Sequence, residues 1–254
     1  MDGPVELALR SGNFGVDRQQ IDDDQRQADF AVERHTFVYV CVCVEILALP
    51  QCYIGKRHLE KALEILARQG LHFTVAWHPF QLNPDMPREG ADRAQYRLAK
   101  FGSAERSRQI DERITETAAT VGLEFHLDRL TRTPNTLDAH RVIRLAGQKG
   151  VQDGVVEALF EGYFCDGADI GNAEALARLG VEGGLERDDI TAMLQSDAGL
   201  REITAADRMA RNAGIQGVPS FALQGHVLFS GAVPADEMVQ AFRRAWEILR
   251  NRAA

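Results

Sequence analysis

From Phe37 to Val44 the chain reads FVYVCVCV, an apolar, valine-rich run with no polar alternation. Such a run fits a central strand covered on both faces better than a strand with one wet side. After a loop, Leu59, Leu63 and Leu66 recur at helical spacing between Lys56 and Arg68, with Ala62 beside them and Gly70 just past the end. The pattern predicts an amphipathic helix closed by a glycine stop. Leu71 to Trp77 then alternates: Leu71, Phe73, Val75 and Trp77 point one way, and His72, Thr74 and Ala76 the other. That is a second strand. Strand, helix and strand at this length form a βαβ unit, with parallel strands joined by a right-handed crossover.

HPFQLNPDMP, from His78 to Pro87, is a proline-broken loop. From Arg93 to about Arg208 the pattern is helical, with breaks near Gly122, at Arg132–Asn135, around Asp166–Asn172 and at Gly183–Gly184. Strand signals are nearly absent there, so a helical subdomain follows the βαβ unit. VPSFAL (Val218 to Leu223) and HVLFSG (His226 to Gly231) read as short strands joined by a tight turn at Gln224-Gly225. Pro234 opens a last helix with Met238, Phe242, Trp246 and Leu249 on one face. The order is that of an α/β thioredoxin-like fold with a large helical insertion. Residues 1–34, polar and acidic around QQIDDDQRQ, show no period and are expected to be a poorly ordered head. The folded domain is then 35–254, with the insertion at about 90–208.

A chain of 254 residues is long enough to bury a substantial core. Its formal charge of −8, from 29 Lys+Arg against 37 Asp+Glu, argues against broad nucleic-acid binding and against docking on an anionic membrane. No apolar run approaches the roughly 18–20 residues of a membrane span; Phe37 to Leu49 is short and broken by Glu45. The opening MDGPVELALRSGNFGVD lacks the pattern of a secretory signal, so a cytoplasmic protein is expected. Four cysteines are too few for a disulfide scaffold. Nothing in the pattern specifies an oligomeric state.

The chemistry concentrates in two places. Leu49-Pro50-Gln51-Cys52-Tyr53-Ile54-Gly55-Lys56 puts Cys52 at a helix start, where backbone N–H groups and the helix dipole favour the thiolate. A lone cysteine there is more often inert and half-buried. Gly217-Val218-Pro219-Ser220-Phe221 puts a proline at a strand start, one of the few sheet positions that tolerate it. A cis bond at Val218–Pro219 would expose the Val218 backbone to an extended peptide or to glutathione. Cysteine and proline together, in this element order, outweigh either alone.

From Cys52 onward the chain resembles the FrnE-like branch of the DsbA family of thiol–disulfide oxidoreductases. The matching stretches are CYIGKRHLEKAL, WHPFQLNPDMP, KFGS, RTPNTLDAHR, ALFEGYF, GVPSFAL and FSGAVP. The resemblance extends to kappa-class glutathione transferases and 2-hydroxychromene-2-carboxylate isomerases. It implies a substrate groove between the first helix and Pro219, with no bound cofactor, glutathione as a candidate co-substrate, and a disulfide-containing protein or small thiol as partner. The family pattern at the helix start is Cys-Pro-x-Cys, and this chain has Leu49-Pro50-Gln51-Cys52. Leu49 takes the place of the attacking cysteine, and Cys52 that of the resolving one. The glutathione-using relatives usually carry serine at the first position, whose role leucine cannot fill. The leading expectation is a thiol–disulfide oxidoreductase working through Cys52 alone; a glutathione-dependent isomerase or transferase, and a redox-inactive protein that binds a peptide or partner, are the alternatives.

The resemblance adds candidates. Asn135 and His140 match a segment near the family's groove, although a helix cap followed by an ordinary helical histidine explains them equally well. Tyr53 lines the groove or packs; Asn83 contacts a ligand or shapes a turn. Pro50, Val218 and Pro219 complete the expected substrate-binding set around Cys52. Cys41 and Cys43, two apart on a strand, face one side and read as small core residues. Cys165 reads as core or groove lining. His72, His78 and His126 lack metal spacing, so no metal is expected.

Overall fold

A computed structural model describes the backbone of Val38–Val44 and of residues 49–253, with side chains over 49–251. The expected head, and the side chains of Cys41 and Cys43, lie outside the described residues. β1 (Val38–Val44) runs parallel to β2 (Phe73–Pro79), with Val38 opposite Phe73 and Val44 opposite Pro79. Its other edge pairs antiparallel with β5 (Ser220–Leu223), which pairs antiparallel with β6 (His226–Ser230). The sheet order is therefore β2-β1-β5-β6. The Gln224-Gly225 turn has φ of 46° and 80°, both positive, the geometry whose twist suits a tight hairpin.

α1 (Pro50–Arg68) begins at Pro50 rather than at Lys56. Proline fits the first helical position because its missing N–H has no intrahelical partner there. Cys52, Tyr53 and Ile54 of this first stretch are all buried. α9 (Ala235–Ala253) packs against α1 and buries Ala235, Met238, Val239, Phe242 and Ala245.

Between β2 and β5 lie α2 (Arg93–Phe101), α3 (Ala104–Ala119), α4 (Leu137–Gln148), α5 (Gln152–Phe164), α6 (Ala173–Glu182), α7 (Arg187–Leu194) and α8 (Leu200–Asn212). Two short strands also pair there, β3 (Ala91–Asp92) with β4 (Arg132–Thr133), too brief to leave an alternating signature. One apolar core runs from Ile54, Trp77 and Phe221 into Val142, Val156 and Phe160 of the insertion. The outer edge of β2 is closed by a side-chain amide: Trp77 N–H donates to Gln152 Oε1 at 3.0 Å, and Gln152 Nε2 donates to the Trp77 carbonyl at 3.1 Å. That pair satisfies edge groups that would otherwise invite another strand.

Candidate functional site

Leu49 caps α1 without a side-chain hydrogen bond, and Cys52 N–H donates to its carbonyl at 2.9 Å. Leu49 is half-buried and faces a cleft, whereas Cys52 is 1% exposed and belongs to the core. Of the four residues Leu-Pro-Gln-Cys, the first three line the cleft and Cys52 does not. Pro219 stands against the same helix, because a Cβ on Gly55 would lie 2.9 Å from Pro219 Cγ. The Val218–Pro219 bond is cis. Gly231 N–H donates to the Pro219 carbonyl at 2.7 Å, and Ser220 Oγ donates to the Gly217 carbonyl at 2.6 Å, fixing this corner. Val218 packs against the main core and against a smaller cluster of Phe80, Ala210 and Ile215, which Leu82 also joins.

The cleft encloses about 240 Å³. Leu49, Pro50 and Gln51 form one wall; Leu82 and Asn83, from the loop after β2, form a second. That loop is held by α8: Gln81 N–H donates to Asp207 Oδ1 at 2.7 Å, and Arg211, its guanidinium 4.5 Å above the Phe80 ring, donates to the Gln81 carbonyl. The far wall comes from α2, α3 and α5. Arg93, Arg97 and Lys100 recur at i, i+4 and i+7, so α2 turns its cations toward one side. Asp111 of α3 receives both guanidinia, Arg97 at 2.7 Å and Arg93 at 3.3 Å. Burial raises the Asp111 carboxyl despite these partners, and burial followed by the Arg93 charge lowers Arg97. Tyr163 of α5 is 2% exposed, and burial pushes its hydroxyl up to about 12. Among the described residues that hydroxyl has no hydrogen-bond partner.

The structure thus gathers Pro50 and Asn83 at the cleft, with Tyr96 OH donating to Asn83 Oδ1 at 3.2 Å. Cys52, Val218 and Pro219 do not line it; Pro219 stands against Gly55 of α1. Other predicted residues lie elsewhere. Tyr53 stacks on Phe160 with ring centroids 4.9 Å apart and donates its hydroxyl to Glu157 at 2.6 Å, on the opposite side of α1. Burial, then the Glu157 hydrogen bond, raises that hydroxyl above its ordinary range. Asn135 binds backbone on both sides: its Nδ2 donates to the Met86 carbonyl at 2.6 Å, and its Oδ1 accepts from Leu137 N–H at 3.0 Å. His140 faces a separate cavity with Trp77 and His78. Cys165 lines the space beside Tyr53, where burial and the nearby Glu161 and Asp166 push its thiol up to about 11. Arg93, Arg97, Lys100, Asp111 and Tyr163 escaped the sequence reading. The i, i+4, i+7 spacing of the cations was the available signal, and surface helices carry such spacing routinely.

The model of the DSBA-like thioredoxin domain matches residues 49–243. No curated protein matches the chain. A probable DsbA oxidoreductase from Streptomyces coelicolor is 30% identical, with 83% of this chain and 90% of that one covered at a TM-score of 0.73. A 2-hydroxychromene-2-carboxylate isomerase is 16% identical over 85% of this chain and 98% of its own, at 0.60. The cytosolic disulfide reductase DsbM from Pseudomonas aeruginosa, solved with glutathione, is 21% identical over 84% and 99%, at 0.55. These last two likenesses speak to the fold. No helix among the described residues is long and apolar enough to cross a membrane.

Proposed function

The chain belongs to the DSBA-like thioredoxin domain family, and on that footing we propose that it binds a thiol- or disulfide-bearing ligand at the start of α1 without dithiol turnover. The observation that carries this reading is that Leu49 lines the cleft and Cys52, 1% exposed, does not. Dithiol exchange needs one thiolate to attack a disulfide and a second to resolve the mixed disulfide. Leucine supplies neither an attacking group nor a hydrogen bond to sulfur. A buried sulfur meets a disulfide poorly, since exchange depends on access. The binding surface remains: Pro50, Gln51 and Asn83 around the cleft, with Val218 and Pro219 at the adjoining corner.

Reduction of a fluorescent disulfide peptide tests this. The natural chain should stay at background, and Leu49→Cys should raise turnover by roughly a hundredfold or more, since it supplies the missing member of a cooperating pair. Turnover by the natural chain would sink the proposal.

A single-thiol reading has its own support: Cys52 lies in the first turn of α1, which carries no acidic side chain. Here a substrate–glutathione mixed disulfide passes its glutathionyl group to the Cys52 thiolate, and the substrate leaves as a thiolate. A free glutathione thiolate then takes that group, regenerating the Cys52 thiolate and forming glutathione disulfide. Intact mass after incubation with glutathione disulfide decides it, with Cys52→Ser as control. One adduct that disappears in the control supports this reading, and an unchanged natural chain rejects it.

A further inference from the structure

The cleft carries more positive charge than its partners neutralise. Arg93 and Arg97, each with a side chain 14% exposed, share the single carboxylate of Asp111. Arg97 is well satisfied: Nε donates to Ser107 Oγ at 2.6 Å, and Nη2 donates to the Ser107 carbonyl at 2.9 Å and to Asp111 at 2.7 Å. Arg93 touches Asp111 only through Nη2, at 3.3 and 3.5 Å. A guanidinium has five N–H donors in a planar fork, so Arg93 keeps donors for a ligand. Lys100 adds a further cation at the rim, 5.5 Å from the Tyr96 ring centroid. The Tyr163 hydroxyl, on a side chain 2% exposed, lines the same cleft without a partner and lies within electrostatic reach of Arg93. The hydroxyl is not one of the sealed, unpartnered polar atoms of the described residues, so it opens onto the cleft, where a ligand can reach it; leaving a charge partly uncompensated in apolar surroundings costs stability.

We propose that the cleft seats a small organic acid, its carboxylate between Arg93 and the Tyr163 hydroxyl and its apolar body against Leu49, Leu82 and Ile114. This rests on the reading of the cleft as a ligand site and names the chemistry it selects. One spare guanidinium and one hydroxyl match the two oxygens of a planar carboxylate. The volume of about 240 Å³ favours a compact ligand over a drug-sized one. Since the whole chain is acidic, at −8, the anion is drawn by this local arrangement and not by the overall field.

Calorimetry on the full chain tests the proposal with naphthoate, its neutral amide and inorganic phosphate. Naphthoate should bind one to one, and the amide and phosphate about tenfold more weakly or not at all. Arg93→Gln and Tyr163→Phe should each weaken naphthoate about tenfold, the size expected for one hydrogen bond to a charged group. Tyr163→Phe removes a single oxygen, so its fold is retained even if Arg93→Gln disturbs α2. Equal binding of acid and amide overturns the proposal, as does naphthoate binding unchanged by Tyr163→Phe, or no naphthoate binding at all. Glutathione disulfide titrated alongside separates the two readings. If it binds where naphthoate does not, the carboxylate seat fails and the thiol-ligand cleft stands.

Discussion

Gly55 sits one turn after Cys52, at the closest approach of α1 to Pro219. Two effects compete in Gly55→Ala. Alanine gains about 1 kcal/mol of helix propensity over glycine. Against this, the new Cβ would stand 2.9 Å from Pro219 Cγ and 3.5 Å from Phe221 Cζ. A proline ring cannot swing aside as a long side chain does, and overpacking of this kind costs about 1–3 kcal/mol. The clash should win, so urea unfolding should show a net loss of roughly 1 kcal/mol. Cys52, one turn earlier, belongs to the main core and is 1% exposed. Cys165 is more exposed, but burial and its carboxylate neighbours hold it in the thiol form, so exposure alone does not make it the reactive cysteine.

At the scale of elements, α1 is fixed to α5 by charges as well as by rings. Lys56, its side chain 2% exposed, meets Glu157 at 2.8 Å, Asp153 at 3.4 Å and also Glu60. Burial alone would lower its pKa, but these carboxylates overcome that and raise it. Lys56→Met would leave Arg57 and the Tyr53 hydroxyl to satisfy Glu157. Its expected cost is roughly 2 kcal/mol in urea unfolding, below the usual loss on breaking a fully buried pair because Glu157 stays 28% exposed. Adding Glu157→Gln should recover part of the loss, and no recovery would show that Arg57 and the Tyr53 hydroxyl already satisfy Glu157 without the lysine. This network also shows why some features were legible in sequence and others not. The β1 run and the recurrence of Met238, Phe242, Trp246 and Leu249 in α9 are local patterns, readable without tertiary information. The apolar period marks the helix only from Lys56, because Pro50, Gln51 and Gly55 interrupt it, whereas the place of Cys52 at the helix start is read from its position after the first strand. Tyr53 could be read either way until Phe125, Phe160 and Phe164 gathered around it. Of the cleft lining, Pro50 and Asn83 follow from residues near the helix start and the loop. The cationic wall exists only where α2, α3 and α5 meet, and no local pattern records that meeting.

At the scale of the whole molecule, His140 links the insertion to the sheet. It projects from α4 to the carbonyl of Phe80, just past β2, and lies within electrostatic reach of Asp207 on α8. His78, Arg144 and Glu202 line the adjoining cavity. Burial holds the imidazole at about 4, against an ordinary 6.5, with Asp207 and the Phe80 hydrogen bond opposing that shift only in part. Burial lowers His78 as well. The sign follows from proton counting. Above 6.5 both the folded and unfolded chains hold His140 neutral, so it exerts no pH dependence there. Between 6.5 and about 4 the unfolded chain binds a proton that the folded chain refuses, and stability falls as pH drops. Complete passage through this window costs about 3 kcal/mol at 1.36 kcal/mol per pH unit. Thermal midpoints should therefore decline from neutral pH toward mildly acidic pH, and His140→Asn, which keeps a donor for Phe80 but cannot titrate, should flatten that decline while lowering the midpoint at neutral pH. A variant as steep as the natural chain would assign the acid sensitivity to His78 or to the carboxylates.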